Sequence, residues 1–118
     1  MSPALTLQVR QQQGTRAVVA LAGELDLDGA DALTTTALGL IGQGSRHLVL
    51  EMDQVPFCDS MGLNALLRVL RQATGAGGSL VLVAPTDPVK RLLSMCGVDR
   101  IISTSDGSHR PAEGSPTR

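Results

Sequence analysis

The sequence predicts a single α/β domain with a mixed, mostly parallel sheet of four or five strands and about three helices. Three observations predict it. The length of 118 residues suits one domain, apolar runs of strand length recur along the chain, and apolar residues at helical spacing lie between them. The elements are predicted in the order β-β-α-β-α-β-α-β. Strands separated by helices favour parallel pairing, and the first strand is expected to join the second as an antiparallel hairpin.

The hairpin is predicted from the first two strands. Leu5, Leu7 and Val9 alternate with polar residues, as in a half-buried strand. Residues 17–22 (AVVALA) are almost continuously apolar, which is typical of a strand buried on both faces. Residues 11–15, which include a glycine, are expected to form the turn between them.

The first helix is predicted after Gly23. Asp28 is a candidate N-cap, and Asp31 follows three residues later in a weak form of the capping box. Gly42 and Gly44 are expected to end this helix. Its apolar residues fall at helical spacing: Ala30, Leu33, Ala37 and Leu40.

The middle of the chain predicts a strand, a second long helix and another strand. Residues 48–50 form a short buried strand that leads into a loop at residues 53–58. Helical spacing resumes at Met61, and the glycines of residues 75–78 end it before an apolar run at residues 80–83. The stripe of this helix is apolar: Leu63, Leu66, Leu67 and Leu70.

A short third helix and a last strand close the predicted domain. Asp87 and Pro88 suit the N-cap and the first helical position, and Gly97 suits the position after the helix end. Residues 98–102 (VDRII) are expected to form the final strand. We therefore assign residues 1–103 to the domain and expect residues 104–118, which are polar and rich in Ser, Gly and Pro, to be a disordered tail.

Composition excludes several functional classes. One aromatic residue and a net charge of −1 argue against direct nucleic-acid binding. Cys58 and Cys96 are far apart with no His/Cys cluster, so we expect free thiols in a reducing compartment. The glycine loops lack nucleotide-binding spacing, and the acids Glu24, Asp26 and Asp28 are more typical of solvated loop residues and a cap than of a cation site, so we expect no cofactor and no metal. No secretory signal and no apolar run of membrane-spanning length is visible. We expect a cytoplasmic protein without a membrane partner.

Ser60, beside Asp59 at the predicted start of the second long helix, is the candidate functional residue. Neither His47 nor His109 belongs to a nucleophile motif, so we expect no catalytic residue and no enzyme activity. Ser60 is then either part of an ordinary helix start, where a cap contributes about 1 kcal/mol, or a phosphorylation site. Helix N-termini also stabilise phosphate through free N–H groups and the helix dipole, so local physics leaves both readings open and by itself favours the ordinary helix start.

Three blocks of sequence, in the same order and place, resemble the STAS domain family, which includes bacterial anti-sigma factor antagonists. They are GELD at residues 23–26, DSMGL at residues 59–63 and GVDRI at residues 97–101, and the likeness spans about residues 4–103. The resemblance implies that an anti-sigma factor with GHKL-type serine kinase activity phosphorylates Ser60 and that a PP2C-type phosphatase reverses the modification. The unphosphorylated protein would bind the anti-sigma factor and release its sigma factor.

The same resemblance implies a partner-binding surface that includes the phosphorylation site: Asp26, Asp59, Ser60, Met61, Gly62 and Asn64. Met61 departs from the family pattern, in which many relatives carry a small or hydroxylated residue at that position. An alternative is an accessory STAS subunit that docks in a transporter or stress-signalling complex without phosphorylation. A third reading, a sensor of nucleotides or small ligands, rests only on the glycine loops and the acidic GELD segment.

Overall fold

The computed structural model describes residues 4–106 and confirms the predicted α/β class and order of elements. A 3-10 turn, Val98–Arg100, precedes the last strand. Three α-helices and five strands lie within the described part of the chain: β1 Thr6–Gln13, β2 Arg16–Ala22, α1 Leu27–Gly42, β3 His47–Gln54, α2 Ser60–Gly75, β4 Ser79–Val83, α3 Asp87–Met95 and β5 Ser103–Ser105.

The five strands form one sheet in the order β1-β2-β3-β4-β5. β1 is antiparallel to β2, whereas β2 to β5 are all parallel, as expected for strands joined by helical crossovers. The register places Val19, Leu50 and Leu82 side by side in a row across β2, β3 and β4. Each is at most 2% exposed, so this row forms the floor of the main core.

The helices of the described chain pack on one face of the sheet and bury the predicted apolar stripes. All four predicted positions of α1 are buried, and so are Leu63 and Leu66 of α2, while Leu67 and Leu70 are half-buried at its margin. The opposite face of the sheet carries a much smaller apolar cluster of three buried valines: Val18, Val49 and Val83. No helix within residues 4–106 is long and apolar enough to cross a membrane.

Two predicted helix starts are wrong by one or two residues. Asp26, not Asp28, is the N-cap of α1, and its Oδ1 accepts a hydrogen bond of 3.0 Å from the N–H of Gly29. Asp28 instead lies in the first turn, where its charge complements the helix dipole. In α3 the N-cap position is Thr86, so Asp87 becomes the first helical residue and Pro88 the second.

The predicted last strand is also wrong. Residues 98–102 form the 3-10 turn and its exit, because Val98 and Ile102 are needed in the core, where they are 6% and 2% exposed. The strand itself is Ser103–Ser105, so the folded part extends two residues past the predicted boundary at residue 103. Gly97 has a φ of 72°, as predicted for the glycine after a helix. Residues 107–118 of the predicted tail lie outside the described residues.

The predicted hairpin turn is shorter than expected. β1 continues to Gln13, and its pairing with β2 shifts register between Val9 and Gln11. This bulge places an extra residue in the edge strand before the turn. Gly14 then supplies the positive φ of 61° on which the two-residue turn depends.

Candidate functional site

The two long helices begin side by side at the carboxyl ends of two neighbouring strands. After β2 and β3 end, Leu25 and Cys58 form an isolated parallel bridge. The N–H of Leu25 donates to the carbonyl of Phe57 at 2.9 Å, and the N–H of Asp59 donates to the carbonyl of Leu25 at 3.3 Å. One residue further, Asp26 and Asp59 are the N-caps of α1 and α2. The bridge therefore brings the GELD and DSMGL segments together.

The side chain of Asp59 caps the N-terminus of α2. Its Oδ1 accepts hydrogen bonds from the N–H groups of both Met61 and Gly62, each at 3.0 Å. These are two of the four backbone donors that a helix N-terminus leaves without an intrahelical partner. Because the carboxylate bonds back onto its own helix, the first turn of α2 is held without help from the neighbouring serine.

Ser60 is the first residue of α2 and is exposed. Its hydroxyl makes no hydrogen bond to another described residue, so it is open to modification or to contact with a partner. Asn64 lies one helical turn further on the same exposed face. Met61 is also exposed, at 44%. The structure thus places three of the predicted site residues on one accessible surface.

Gly62 differs from the other predicted site residues because it is buried. A Cβ built on it would lie 2.7 Å from Cγ of Leu25 and 3.0 Å from Sγ of Cys58, and it would also overlap the Leu25 carbonyl oxygen. These distances leave no room for a side chain. We therefore assign Gly62 a structural role: it lets α2 pack directly on the bridge between the two loops.

Cys58 is a buried thiol beneath the site rather than a reactive group. It is 7% exposed, and its Sγ lies 3.5 Å from the carbonyl oxygen of Asp59. Burial, and to a lesser extent the negative charge of Asp59, raise the pKa of Cys58 from 9.0 to about 12. The thiol is therefore protonated at neutral pH and is a poor nucleophile.

The one histidine among the described residues lies away from Ser60, and the Ser60 hydroxyl makes no hydrogen bond to a possible base. His47, at the opposite end of β3, pairs through Nδ1 with the hydroxyl of Ser79 at 2.9 Å. Residues 4–106 also contain no group of three His, Cys, Asp or Glu side chains arranged to hold a metal ion. The site therefore offers a hydroxyl, a helix N-terminus and a surface, and these suit binding and modification by another protein.

A groove between α1 and α2, which the sequence did not predict, begins beside Ser60. Each helix contributes one large apolar residue at the mouth of the groove, then an alanine, then a charged residue. On α1 these are Leu27, Ala30 and Asp31, and on α2 they are Met61, Ala65 and Arg68. Leu27 was not predicted to line a surface because α1 was expected to begin after it. The available signal was its spacing, since residues 27, 30, 31 and 34 follow one helical stripe.

The loop that carries the site is anchored from α3, which the sequence did not predict. Thr86 occupies the N-cap position of α3, but its hydroxyl does not cap that helix. It donates instead to the carbonyl of Val55 at 2.7 Å, in the loop between β3 and α2. The N–H of Val55 in turn donates to the carbonyl of Met52 at 3.0 Å. These bonds fix the path of the chain toward Asp59.

Together, the fold and the site define a class of protein: a one-sided α/β domain that presents an exposed serine at a capped helix start. The chain belongs to the STAS domain family, whose domain matches residues 6–110. This finding confirms the family resemblance drawn from the three sequence blocks.

Two curated relatives carry related names. A Paenibacillus polymyxa protein named anti-sigma F factor antagonist is 29% identical over 103 residues, which cover 86% of this chain and 87% of the relative. A Thermotoga maritima protein, provisionally named an anti-sigma factor antagonist, is 30% identical over 66 residues, which cover 56% of this chain. The match spans 58% of the length of that second relative.

Solved structures share the fold. The unphosphorylated form of the anti-sigma factor antagonist SpoIIAA matches with a TM-score of 0.73 and 21% identity, covering 84% of this chain and 87% of that chain. The phosphorylated form of SpoIIAA from Bacillus matches with a TM-score of 0.68 and 20% identity over 84% and 90% of the two chains. The murine anion transporter Slc26a9 matches over 77% of this chain but only 15% of its own, with a TM-score of 0.65 and 22% identity.

Proposed function

We propose that this protein is an anti-sigma factor antagonist whose binding is switched off by phosphorylation of Ser60. The observation that carries the proposal is the position of Ser60: it is exposed at the first position of α2, and its hydroxyl has no partner among the described residues. The name of the Paenibacillus relative, whose match covers most of both chains, supports the same function.

In this proposal the partner is an anti-sigma factor with GHKL-type serine kinase activity. It binds the unphosphorylated surface formed by Asp26, Asp59, Ser60, Met61 and Asn64 and thereby releases its sigma factor in the cytoplasm. The kinase supplies ATP and magnesium, and a PP2C-type phosphatase restores the hydroxyl. This chain supplies the acceptor and the docking surface and performs no catalysis of its own.

The switch acts through charge rather than through unfolding. Phosphorylation adds about −1.5 to −2 charges at neutral pH. The first turn of α2 is already held by Asp59 through Met61 and Gly62, so the helix does not depend on the Ser60 hydroxyl. A phosphate at a helix N-terminus is also favoured by the dipole. The modified protein therefore keeps its fold while its docking surface gains a strongly hydrated dianion.

The test is phosphorylation of the full chain by purified kinase-type anti-sigma factors encoded in the same genome, with ATP and magnesium, followed by mass spectrometry. We expect one phosphate on Ser60, none on Ser60→Ala, and normal modification of the control Ser94→Ala, which changes an exposed serine within α3. Calorimetry should show that Ser60→Ala still binds the anti-sigma factor and that Ser60→Asp binds at least tenfold more weakly.

Two results would count against the proposal: a phosphate on another residue, or equal affinities for wild type, Ser60→Ala and Ser60→Asp. The alternative role, an accessory subunit that docks in a transporter or stress-signalling complex, predicts stable binding to such a complex with no phosphate on Ser60. A pull-down that recovers a transporter ATPase in place of a kinase would favour that alternative.

A further inference from the structure

An exposed apolar pair lies directly beside the proposed phosphorylation site. Leu27, the first residue of α1, is 60% exposed, and Met61, the second residue of α2, is 44% exposed. Both line the mouth of the groove between the two helices. Neither side chain contributes to the main core. Large apolar side chains that face each other across a groove are typical of a surface that a partner covers.

The groove also carries charges that the described residues do not neutralise. Asp28 and Asp31 are exposed on the first turns of α1, and Asp31 lines the groove. Arg68 lines the groove from α2, but it forms no salt bridge with Asp31. The groove is therefore apolar at its mouth, with the acidic Asp31 on its α1 side and the basic Arg68 on its α2 side, and Asp28 lies next to Leu27 on α1 as a second acidic residue. Such a surface fits a segment with one apolar side chain and basic residues on the side that faces α1.

We propose that this groove receives an apolar side chain from a basic segment of the anti-sigma factor and that Leu27 and Met61 determine which anti-sigma factor binds. The inference rests on the proposed function and extends it from the acceptor to the determinant of partner choice. The small side chains of Ala30 and Ala65 leave space along the groove for an inserted side chain. Asp28 and Asp31 would steer and orient the basic segment.

The groove also explains why a phosphate on Ser60 would release the partner. Ser60 and Met61 are consecutive, so the phosphate stands at the groove mouth. An apolar side chain can bind there only if water leaves the mouth of the groove. Removing water from a phosphate dianion costs a large amount of free energy. Phosphorylation would therefore oppose burial of the apolar anchor even when the partner segment is basic.

The test measures binding of the full chain to a panel of purified anti-sigma factors with serine kinase domains from the same genome. Leu27→Ala and Met61→Ala should each weaken binding to the preferred member about five- to tenfold, as expected for the loss of an anchor contact. Two exposed apolar residues outside the groove supply matched controls: Ile101→Ala and Met95→Ala, which truncate side chains 60% and 76% exposed, should leave the affinity unchanged.

Charge provides a second readout. Asp28→Asn together with Asp31→Asn should slow association and reduce its dependence on salt, while the exposed control Asp99→Asn should not. Wild-type affinities in all the groove variants, with Ser60 still phosphorylated normally, would overturn the groove inference and leave the proposed function intact. Failure of the wild-type chain to bind or be phosphorylated by any member of the panel would overturn both.

Discussion

Leu25 and Cys58 meet in a single parallel bridge, and the residue after each of them is the N-cap of a long helix. Because the bridge fixes the two loops relative to each other, the caps Asp26 and Asp59 start α1 and α2 at the same level. The exposed residues Leu27, Ser60 and Met61 then share one end of the molecule. The bridge is thus the element that converts two separate sequence motifs into one surface.

Gly62→Ala should destabilise the domain because the bridge leaves no space for a methyl group. The added Cβ would lie 2.7 Å from Cγ of Leu25, and neither that buried leucine nor the adjoining backbone can easily move. We expect the free energy of unfolding to fall by about 1–3 kcal/mol, the usual cost of overpacking a core. Urea denaturation followed by circular dichroism measures this difference.

Gly75→Ala is the matched control, since Gly75 ends the same helix and a Cβ there meets no atom within 4 Å. We expect this variant to be unchanged or slightly more stable, by up to about 1 kcal/mol, because alanine favours the helix. Equal stabilities of Gly62→Ala and Gly75→Ala would contradict the close approach of α2 to Leu25.

Asp59→Ala should weaken the start of α2 by removing the acceptor for two backbone donors. The N–H groups of Met61 and Gly62 each lose a hydrogen bond of 3.0 Å. Loss of such a cap costs about 0.5–2 kcal/mol, while Asp59→Asn keeps the capping oxygen and should cost much less. Thermal unfolding gives the stabilities, and amide exchange at residues 61–62 shows whether the first turn frays. Equal protection of these amides in both variants would argue against the capping role.

The sequence predicted the second helix start more accurately than the first, for a physical reason. At α2 the helical period was predicted from Met61, one residue after the observed start, and the adjacent Asp59 and Ser60 were both candidate caps, of which Asp59 is the one observed. At α1 the segment LDLDGAD contains three aspartates, and the buried stripe begins only at Gly29 and Ala30. Leu27 breaks the expected pattern because it is apolar yet exposed, and only the pairing of Leu25 with Cys58 fixes the cap at Asp26.

The last strand was predicted at the wrong residues because the local apolar pattern of residues 98–102 resembled a strand. Ile101 and Ile102 suggested a strand, but only Ile102 and Val98 enter the core, and they do so from a tight turn. The strand that follows is Ser-Thr-Ser at the edge of the sheet, where backbone pairing with β4 suffices and apolar side chains are not required. Its polar sequence gave no signal distinct from the tail.

The site itself was only partly predictable. The position of Ser60 beside a possible capping aspartate follows from local sequence, whereas the groove depends on two helices whose first residues are 33 positions apart in sequence. Helix periodicity identifies the face of each helix but not which side chains meet across the gap. The contact of Gly62 with Leu25 is likewise a property of the loops' pairing, not of either motif alone.

Cys58 should make the stability of the domain depend on pH above 9. Its pKa is raised to about 12 in the folded state, mainly by burial, and its ordinary value is 9.0. Between these values the unfolded chain releases the thiol proton while the folded chain keeps it, so stability falls as pH rises through this window. The stability advantage of wild type over Cys58→Ala should be constant from pH 6 to 8 and should shrink above pH 9.

Thiol labelling gives an independent check on the same residue. N-ethylmaleimide at pH 7.5 should modify the exposed Cys96 within minutes and leave Cys58 unmodified until the protein is unfolded. Cys96→Ala should then show no rapid labelling and should change stability by less than about 0.5 kcal/mol, as is usual for exposed positions. Rapid labelling of Cys58 in the folded protein would mean that the bridge region opens readily.

Thr86→Val should loosen the loop that carries Ser60 without disturbing α3. The substitution keeps the shape of the side chain but removes the hydroxyl that donates to the Val55 carbonyl at 2.7 Å. Since that hydroxyl does not cap α3, the helix loses nothing at its own N-terminus. The carbonyl of the fully buried Val55 is left without this donor, and we expect a loss of about 1–3 kcal/mol. Hydrogen exchange should show faster exchange at the amide of Asp59, which bonds to Leu25 across the bridge.

The matched control is Thr74→Val, whose hydroxyl bonds to the Leu70 carbonyl on the exposed side of α2 and should contribute less than about 0.5 kcal/mol. If Thr86→Val and Thr74→Val lose equal stability, or if exchange at Asp59 is unchanged, then the path of the loop into α2 is set by the Leu25–Cys58 bridge alone and not by α3.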